Sequence, residues 1–281
     1  MIATGLLATN LLEGEYLKAL VGACIIGVVA PVVGTWIVLR RMANLGDTMS
    51  HGTLAGVGVA YAAGANVLFG ALGAGVVIAV LLILFSASQR LGHEAIIAVM
   101  GSALFALGII IISRIDTTEE LEHILFGDVL QLTWGEIGIN LVIGSLAIGV
   151  VLLLFNELRL ASFDHVQAEQ VGVHVELIQG VLVVLLALVV VISLRTVGSV
   201  MSVSMLVTPA ATARLLSPTL RRMTIVGVTL DVAEGVAGVA LGQALDAPPG
   251  ATIGLLAAVV FAIAYAVTLP RRMPHHHRPI S

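Results

Sequence analysis

"LKALVGACIIGVVAPVVGTWIVLRR", residues 17–41, decides which solvent the chain is built for. From Leu17 to Leu39 its only charge is Lys18, close to the start, and the run stops at Arg40 and Arg41. A hydrocarbon core of about 30 Å takes roughly 20 helical residues to cross, so the stretch reads as a membrane span with a basic anchor at its end. The rest of the sequence repeats the pattern. Of its 281 residues 59% are hydrophobic and 11% charged, and the mean hydropathy is +1.10. That is more apolar surface than one soluble core can hide. The expected fold is all-α, a polytopic membrane helix bundle forming a single transmembrane domain over 1–281, with nine spans near 17–39, 45–63, 66–87, 94–113, 136–155, 177–194, 197–216, 223–243 and 251–269. The count becomes eight if 197–216 only dips into the membrane. A β-barrel needs alternating strands of about ten residues, and no such alternation is visible.

The arginines orient the bundle. Arg40 and Arg41, Arg90, Arg159, the group Arg214, Arg221 and Arg222, and Arg271 with Arg272 follow spans one, three, five, seven and nine. By the positive-inside rule these connections are cytoplasmic. The acidic connection "RIDTTEELEHILFGD" (114–128) and the turn "LDAPPGAT" (245–252) then face outside. Residues 1–16 read as a short amphipathic lead-in without the basic start and cleavage site of a signal peptide, and 270–281 as a cytoplasmic tail. The single cysteine, Cys24, excludes an internal disulfide framework and reads as core filling.

No enzyme motif is present. A phosphate-binding loop of the GxxxxGK[ST] type needs a lysine the chain does not place, since Lys18 is its only one. "GHEAII" (92–97) puts Ile97 where a zinc-protease helix needs its second histidine. The chain is therefore expected to have no catalytic site of its own and to bind neither ATP by this route nor nucleic acid.

Its chemistry gathers inside the spans. An acid at the centre of a membrane helix costs about 2.5–3.5 kcal/mol on insertion scales, so such groups face the bundle interior or a wet cavity and mark an ion or substrate path. In "NLGDTMSHGTLAGVGVAYAAG" (44–64), Asp47 and His51 are one helical turn apart and share a face. A carboxylate and an imidazole suit a divalent cation such as zinc or manganese. The same spacing also fits Asp47 capping the helix start with His51 hydrogen-bonded to a neighbour. In "TIVGVTLDVAEGVAGVALG" (224–242), Asp231 and Glu234 share a second face. They either join the metal ligands, stay protonated and bond another helix, or pair with Arg195. Gly52 with Gly56, and Gly238 with Gly242, have the spacing of closely approaching helices and suggest one packed seam beside both pairs. Met201 and Met205 read as interface filling, and His275, His276 and His277 as part of an unstructured basic end.

"RRMANLGDTMSHGTLAGVGVA" (40–60), "SVSMLVTPAATARLL" (202–216) and "LDAPPGATIGLLAAVVF" (245–261) resemble, in order, three signatures of the membrane permease subunit of zinc/manganese-type metal ABC importers. "LFGD" (125–128) and "AEQVGV" (168–173) fall where that family has comparable segments, so the resemblance covers nearly the whole chain. It implies a permease paired with a second permease subunit, expected to be a second copy, in the cytoplasmic membrane of a bacterium. It also implies cytoplasmic ABC ATPase subunits that hydrolyse ATP and an extracytoplasmic metal-binding protein that delivers the ion. The transported Zn²⁺ or Mn²⁺, or iron, is cargo rather than a resident cofactor. Asp47 and His51 match the family's metal-pathway motif, whereas Asp231 and Glu234 match none and rest on burial cost alone. The segment 209–222, from Pro209, Ala210, Ala211, Thr212, Ala213 and Arg214 onward, matches the region that contacts the ATPase. Glu122 and Asp128 in the acidic outer connection are the expected binding-protein contacts. An ion-coupled secondary carrier and a permease for a chelated metal are the competing readings. The first would show inverted repeats, and no convincing one is found.

Overall fold

The computed structural model describes residues 14–86, 93–114, 127, 129 and 132–269. Among them every regular element is a helix: α1 (Gly14–Leu39), α2 (Ala43–Ala62), α3 (Val67–Ser86), α4 (His93–Ile112), α5 (Trp134–Leu153), α6 (Phe155–Phe163), α7 (His165–Gln170), α8 (Val175–Val197), α9 (Ser199–Leu216), α10 (Leu220–Leu245) and α11 (Pro249–Thr268). Each expected span has a helix within a few residues of its bounds. Five of them, α1, α5, the 175–194 part of α8, α10 and α11, are long and apolar enough to cross a membrane, and Leu68–Leu81, Ala95–Ile111 and Met201–Leu216 are shorter apolar segments. The short α6 and α7 occupy the basic connection after the fifth span, where the sequence has no apolar run to announce them. Glu122 and Asp128, the lead-in up to residue 13 and the histidine tail lie outside the described residues.

The bundle is built around α1, which packs along α10, α9, α5 and α8. Trp36 near its end is buried and meets Phe155 edge-on, with ring centroids 5.5 Å apart. A second group forms where α2 lies along α3 and α4, and α8 touches both groups. Outward faces carry large apolar residues such as Phe69, Leu84, Val99, Val142 and Leu255, as a surface meeting lipid or a partner helix requires.

Four hydroxyls inside the bundle are satisfied by their own helices. Thr35, Ser193, Ser202 and Thr212 each donate a side-chain hydrogen bond to the carbonyl four residues back. With no water available, a hydroxyl in a buried helix has its own preceding turn as its nearest acceptor. Thr35 bonds the carbonyl of Pro31 at 2.8 Å, beside the one proline inside α1. At the start of α5, Thr133 and Glu136 form a reciprocal capping box.

One glycine decides where the chain turns, and others where helices meet. Gly198, at φ 87°, is the only residue between α8 and α9, a backbone setting that side chains resist. Residues 199–216 are thus a separate helix rather than a continuation of α8. The glycine spacings serve two seams, not the single one expected. A Cβ on Gly56 would meet the Gly70 carbonyl oxygen and lie 2.5 Å from the Ala74 Cβ on α3, whereas one on Gly242 would lie 3.1 Å from the Pro249 Cα at the start of α11. The reason is that Asp47/His51 and Asp231/Glu234 belong to different helix groups.

Candidate functional site

Helix α2 starts at Ala43 behind Met42, and no side chain caps it. Asp47 therefore does not serve as the helix cap, one of the two roles its position allowed. The inward faces of α2 bury Leu45, Met49, Leu54 and Val57, together with Thr48, Ser50 and Thr53. Asn44, Asp47 and His51 fall on another stripe. With Thr48 they line a cavity of about 370 Å³ whose opposite wall is α4, through Ile97, Ala98, Gly101, Ser102 and Phe105.

The close approach of α4 comes from missing side chains. A Cβ on Gly101 would stand 2.9 Å from the Thr48 hydroxyl oxygen, and one on Gly108 2.9 Å from the Ala55 nitrogen. These two glycines, two helical turns apart, press one face of α4 onto α2. Thr48 Oγ1 then donates to the Ile97 carbonyl at 3.1 Å across the contact. Between the glycines, Ser102 and Phe105 reach the cavity. Sequence reasoning missed this wall, and its signal was the seven-residue spacing of Gly101 and Gly108.

Inside the cavity, His51 Nε2 lies 3.3 Å from Asp47 Oδ1. Phe105 meets the imidazole at a ring-centroid distance of 4.6 Å and an interplanar angle of 61°, which restricts the ring's rotation. His51 Nδ1 is buried without a hydrogen-bond partner, while the Asp47 side chain is 67% exposed. The pair is thus anchored at the imidazole and open at the carboxylate. Two ligands bound side by side to one cation at about 2.0–2.2 Å lie roughly 3.0–3.4 Å apart, so the observed gap accommodates a cation between them with little rearrangement. Two protein ligands leave the remaining coordination positions to water, which suits an ion that must leave again.

Asp231 and Glu234 sit elsewhere. Both are buried on α10, at 0% and 4% exposure, and none of their four carboxyl oxygens has a hydrogen-bond partner. Helix α10 packs on α1, α9 and α11, not along α2. A Cβ on Gly27 of α1 would touch the Asp231–Val232 backbone at about 3.0–3.2 Å, and one on Gly235 would lie 3.4 Å from the Ala23 Cβ. Among the described residues, no three or more His, Cys, Asp or Glu side chains gather to hold a metal. The side chain of Arg195, the other partner considered for the two acids, lies outside the described set.

The expected coupling segment divides in two. Pro209, Ala210, Thr212 and Ala213 are buried within α9, and Ala211 is partly covered. Arg214 is exposed and donates from Nη1 to the Val38 carbonyl at 3.1 Å, closing the end of α1. From there to Arg222 the chain leaves α9, bends at Ser217–Thr219 and enters α10, with Pro218, Arg221 and Arg222 exposed. Met201 packs its sulfur against Gly254 of α11, the interface-filling role its spacing suggested. Cys24 is half-buried in the wall of an apolar groove between α1 and α5, with Leu20, Val28, Leu141 and Ile148.

Comparison with known proteins gives one consistent result. Residues 15–268 match the ABC 3 transport family. The chain is 38% identical over 258 residues to the manganese transport system membrane protein MntC of Halalkalibacterium halodurans, covering 91% of this chain and 88% of that protein. It is 34% identical over 255 residues to the manganese import system permease protein ScaB of Streptococcus gordonii, covering 91% and 92%. Among solved structures it superimposes on PsaBC from Streptococcus pneumoniae, determined in complex with Fab, with a TM-score of 0.86 and 32% identity over 94% of this chain and 95% of that one.

Proposed function

Because this chain belongs to the ABC 3 transport family, as the membrane permease of a metal ABC importer, we propose that its cargo is manganese(II) and that the ion passes between Asp47 and His51. The observation that carries this reading is the 3.3 Å gap between the carboxylate and imidazole in a polar cavity beside α4. The names of its relatives favour manganese, and zinc and iron are the competitors.

The working unit follows from the same premise. Nine helices, α1–α5 and α8–α11, cross a bacterial cytoplasmic membrane, with the arginine-bearing ends inside. A second copy pairs with this one, and a binding protein delivers the ion on the outer side, to which the sequence assigns Glu122 and Asp128. Separate ATPase subunits engage the exposed stretch from Arg214 to Arg222. Arg214 joins that stretch to the end of α1, so a push there moves α1 and α9 together. Alternating access then takes the form of rigid-body rocking around a fixed site, and the permease performs no covalent chemistry.

Asp231 and Glu234 enter as a second polar node met by the ion in another conformation of the bundle. Unpartnered carboxyls at this depth are costly, and a purely structural seam is served as well by amides. The double variant Asp231→Asn/Glu234→Gln is expected to assemble normally and to import manganese on the order of tenfold more slowly. Full-rate import by that variant would remove the pair from the route.

The function itself is tested with vesicles containing the permease, its ATPase and its binding protein. Accumulation of radioactive manganese(II) is expected to require ATP. ATP-independent uptake driven by an ion gradient would favour a secondary carrier instead, and uptake only of a chelate would change the cargo.

A further inference from the structure

One cavity-lining group has no assigned role. Asn44 lies in the first turn of α2, is exposed, and makes no hydrogen bond through its side chain among the described residues. The other polar side chains there are engaged or already assigned. The hydroxyls of Thr48 and Ser102 donate to the carbonyls of Ile97 and Ala98 at 3.1 and 2.9 Å, and Asp47 and His51 face each other.

Helical geometry fixes how Asn44 relates to that pair. Residues 44, 47 and 51 follow one stripe, and at 1.5 Å of rise per residue they are separated by about 4.5 Å and about 6 Å along the axis. Asn44 and His51 are therefore roughly 10 Å apart, too far for one cation to contact both with bonds near 2.2 Å. Asp47 stands between them. Side chains on a helix lean toward its N-terminus, so His51 leans toward Asp47 and Asp47 toward Asn44.

Building on the assignment of Asp47 and His51 to the ion's route, we propose that Asn44 supplies a carboxamide oxygen to a second cation position, which shares Asp47 with the first and lies nearer the Arg40–Arg41 end of α2. The ion moves from a nitrogen-and-oxygen position at His51 and Asp47 to an oxygen-only position at Asp47 and Asn44. Because Asp47 keeps hold throughout, the ion is never stripped of protein ligands during the transfer. Oxygen donors suit manganese(II), while imidazole suits zinc, so the second position discriminates between the two metals after entry. By the positive-inside assignment it is the exit side.

The test uses the complete complex in vesicles, with radioactive manganese(II) and zinc(II) in parallel. Asn44→Ala is expected to lower the maximal rate of manganese import on the order of tenfold without changing the manganese concentration giving half-maximal uptake, because the entry pair is intact. Asn44→Asp restores the rate, and Asn44→His shifts the manganese-to-zinc ratio toward zinc. Elution of each variant complex from a sizing column at the wild-type position confirms assembly. Wild-type manganese import by Asn44→Ala while Asp47→Ala is inactive would overturn this inference and leave the assignment of Asp47 standing. Wild-type import by both variants would overturn the assignment as well.

Discussion

Asp47→Ala and His51→Ala are each expected to lower ATP-driven manganese uptake by at least about a hundredfold, while the permease still assembles with its partners. The size follows from what each side chain is proposed to give the ion. Losing even an outer partner of a metal ligand costs about 10–100-fold, and these two groups are the carboxylate and imidazole that face each other at 3.3 Å. Assembly is expected to survive because both sit on the cavity side of α2. The packing of that helix rests on Leu45, Met49, Leu54 and Val57, and on its glycine contacts with α3 and α4. His51→Ala removes one further contact, the edge-on meeting with Phe105, so its stability falls slightly more than that of Asp47→Ala. The measurement is initial uptake by vesicles together with a sizing profile of the complex. A variant that assembles and transports at the normal rate would take its residue out of the mechanism.

Gly34→Val has the largest expected effect on folding. A Cβ at Gly34 would collide with the Leu206 carbonyl oxygen on α9 and lie 3.5 Å from the Ala210 Cβ. The obstacle is backbone, so no rotamer change relieves it, and the two helices must separate. Overpacking of this kind typically costs about 1–3 kcal/mol and occasionally more. Here it also acts on the junction where Arg214 ties α9 to the end of α1. The variant is expected to melt well below wild type in detergent, or to fail to accumulate. Gly149→Ala in α5, where nothing lies within 4 Å of the added carbon, serves as the control and should melt with the wild type. Equal melting of Gly34→Val and wild type would mean that α1 and α9 are not in this close contact.

Both expectations concern features of different legibility. The helices, five of them long and apolar enough to cross a membrane, were readable because lipid imposes a length and an apolar composition on a crossing helix, and α1 and α10 differ from the expected bounds by a few residues. The Asp47–His51 pair was readable because a four-residue spacing is local and survives any packing of the helix. What covers that pair was not readable, since nothing in the period of α2 specifies α4 as its neighbour. Gly101 and Gly108 make the contact, yet glycines at helical spacing occur throughout this chain. The same limit applies to Asp231 and Glu234. Burial of the acids followed from their setting in an apolar run, whereas their separation from α2 depends on α9, which packs on both α10 and α2. Helices α6 and α7 escaped notice because short polar helices in a connection carry no amphipathic signal long enough to register.

The central claim is that a passing cation touches Asp47 and His51 together, and manganese(II) is its own spectroscopic probe. Pulsed electron paramagnetic resonance of the complex loaded with manganese(II) reads directly whether a nitrogen nucleus is bonded to the ion. The wild-type complex is predicted to show modulation from one imidazole nitrogen, which disappears in His51→Ala. Nitrogen modulation that persists unchanged in His51→Ala, or that is absent from the loaded wild-type complex, would contradict the claim.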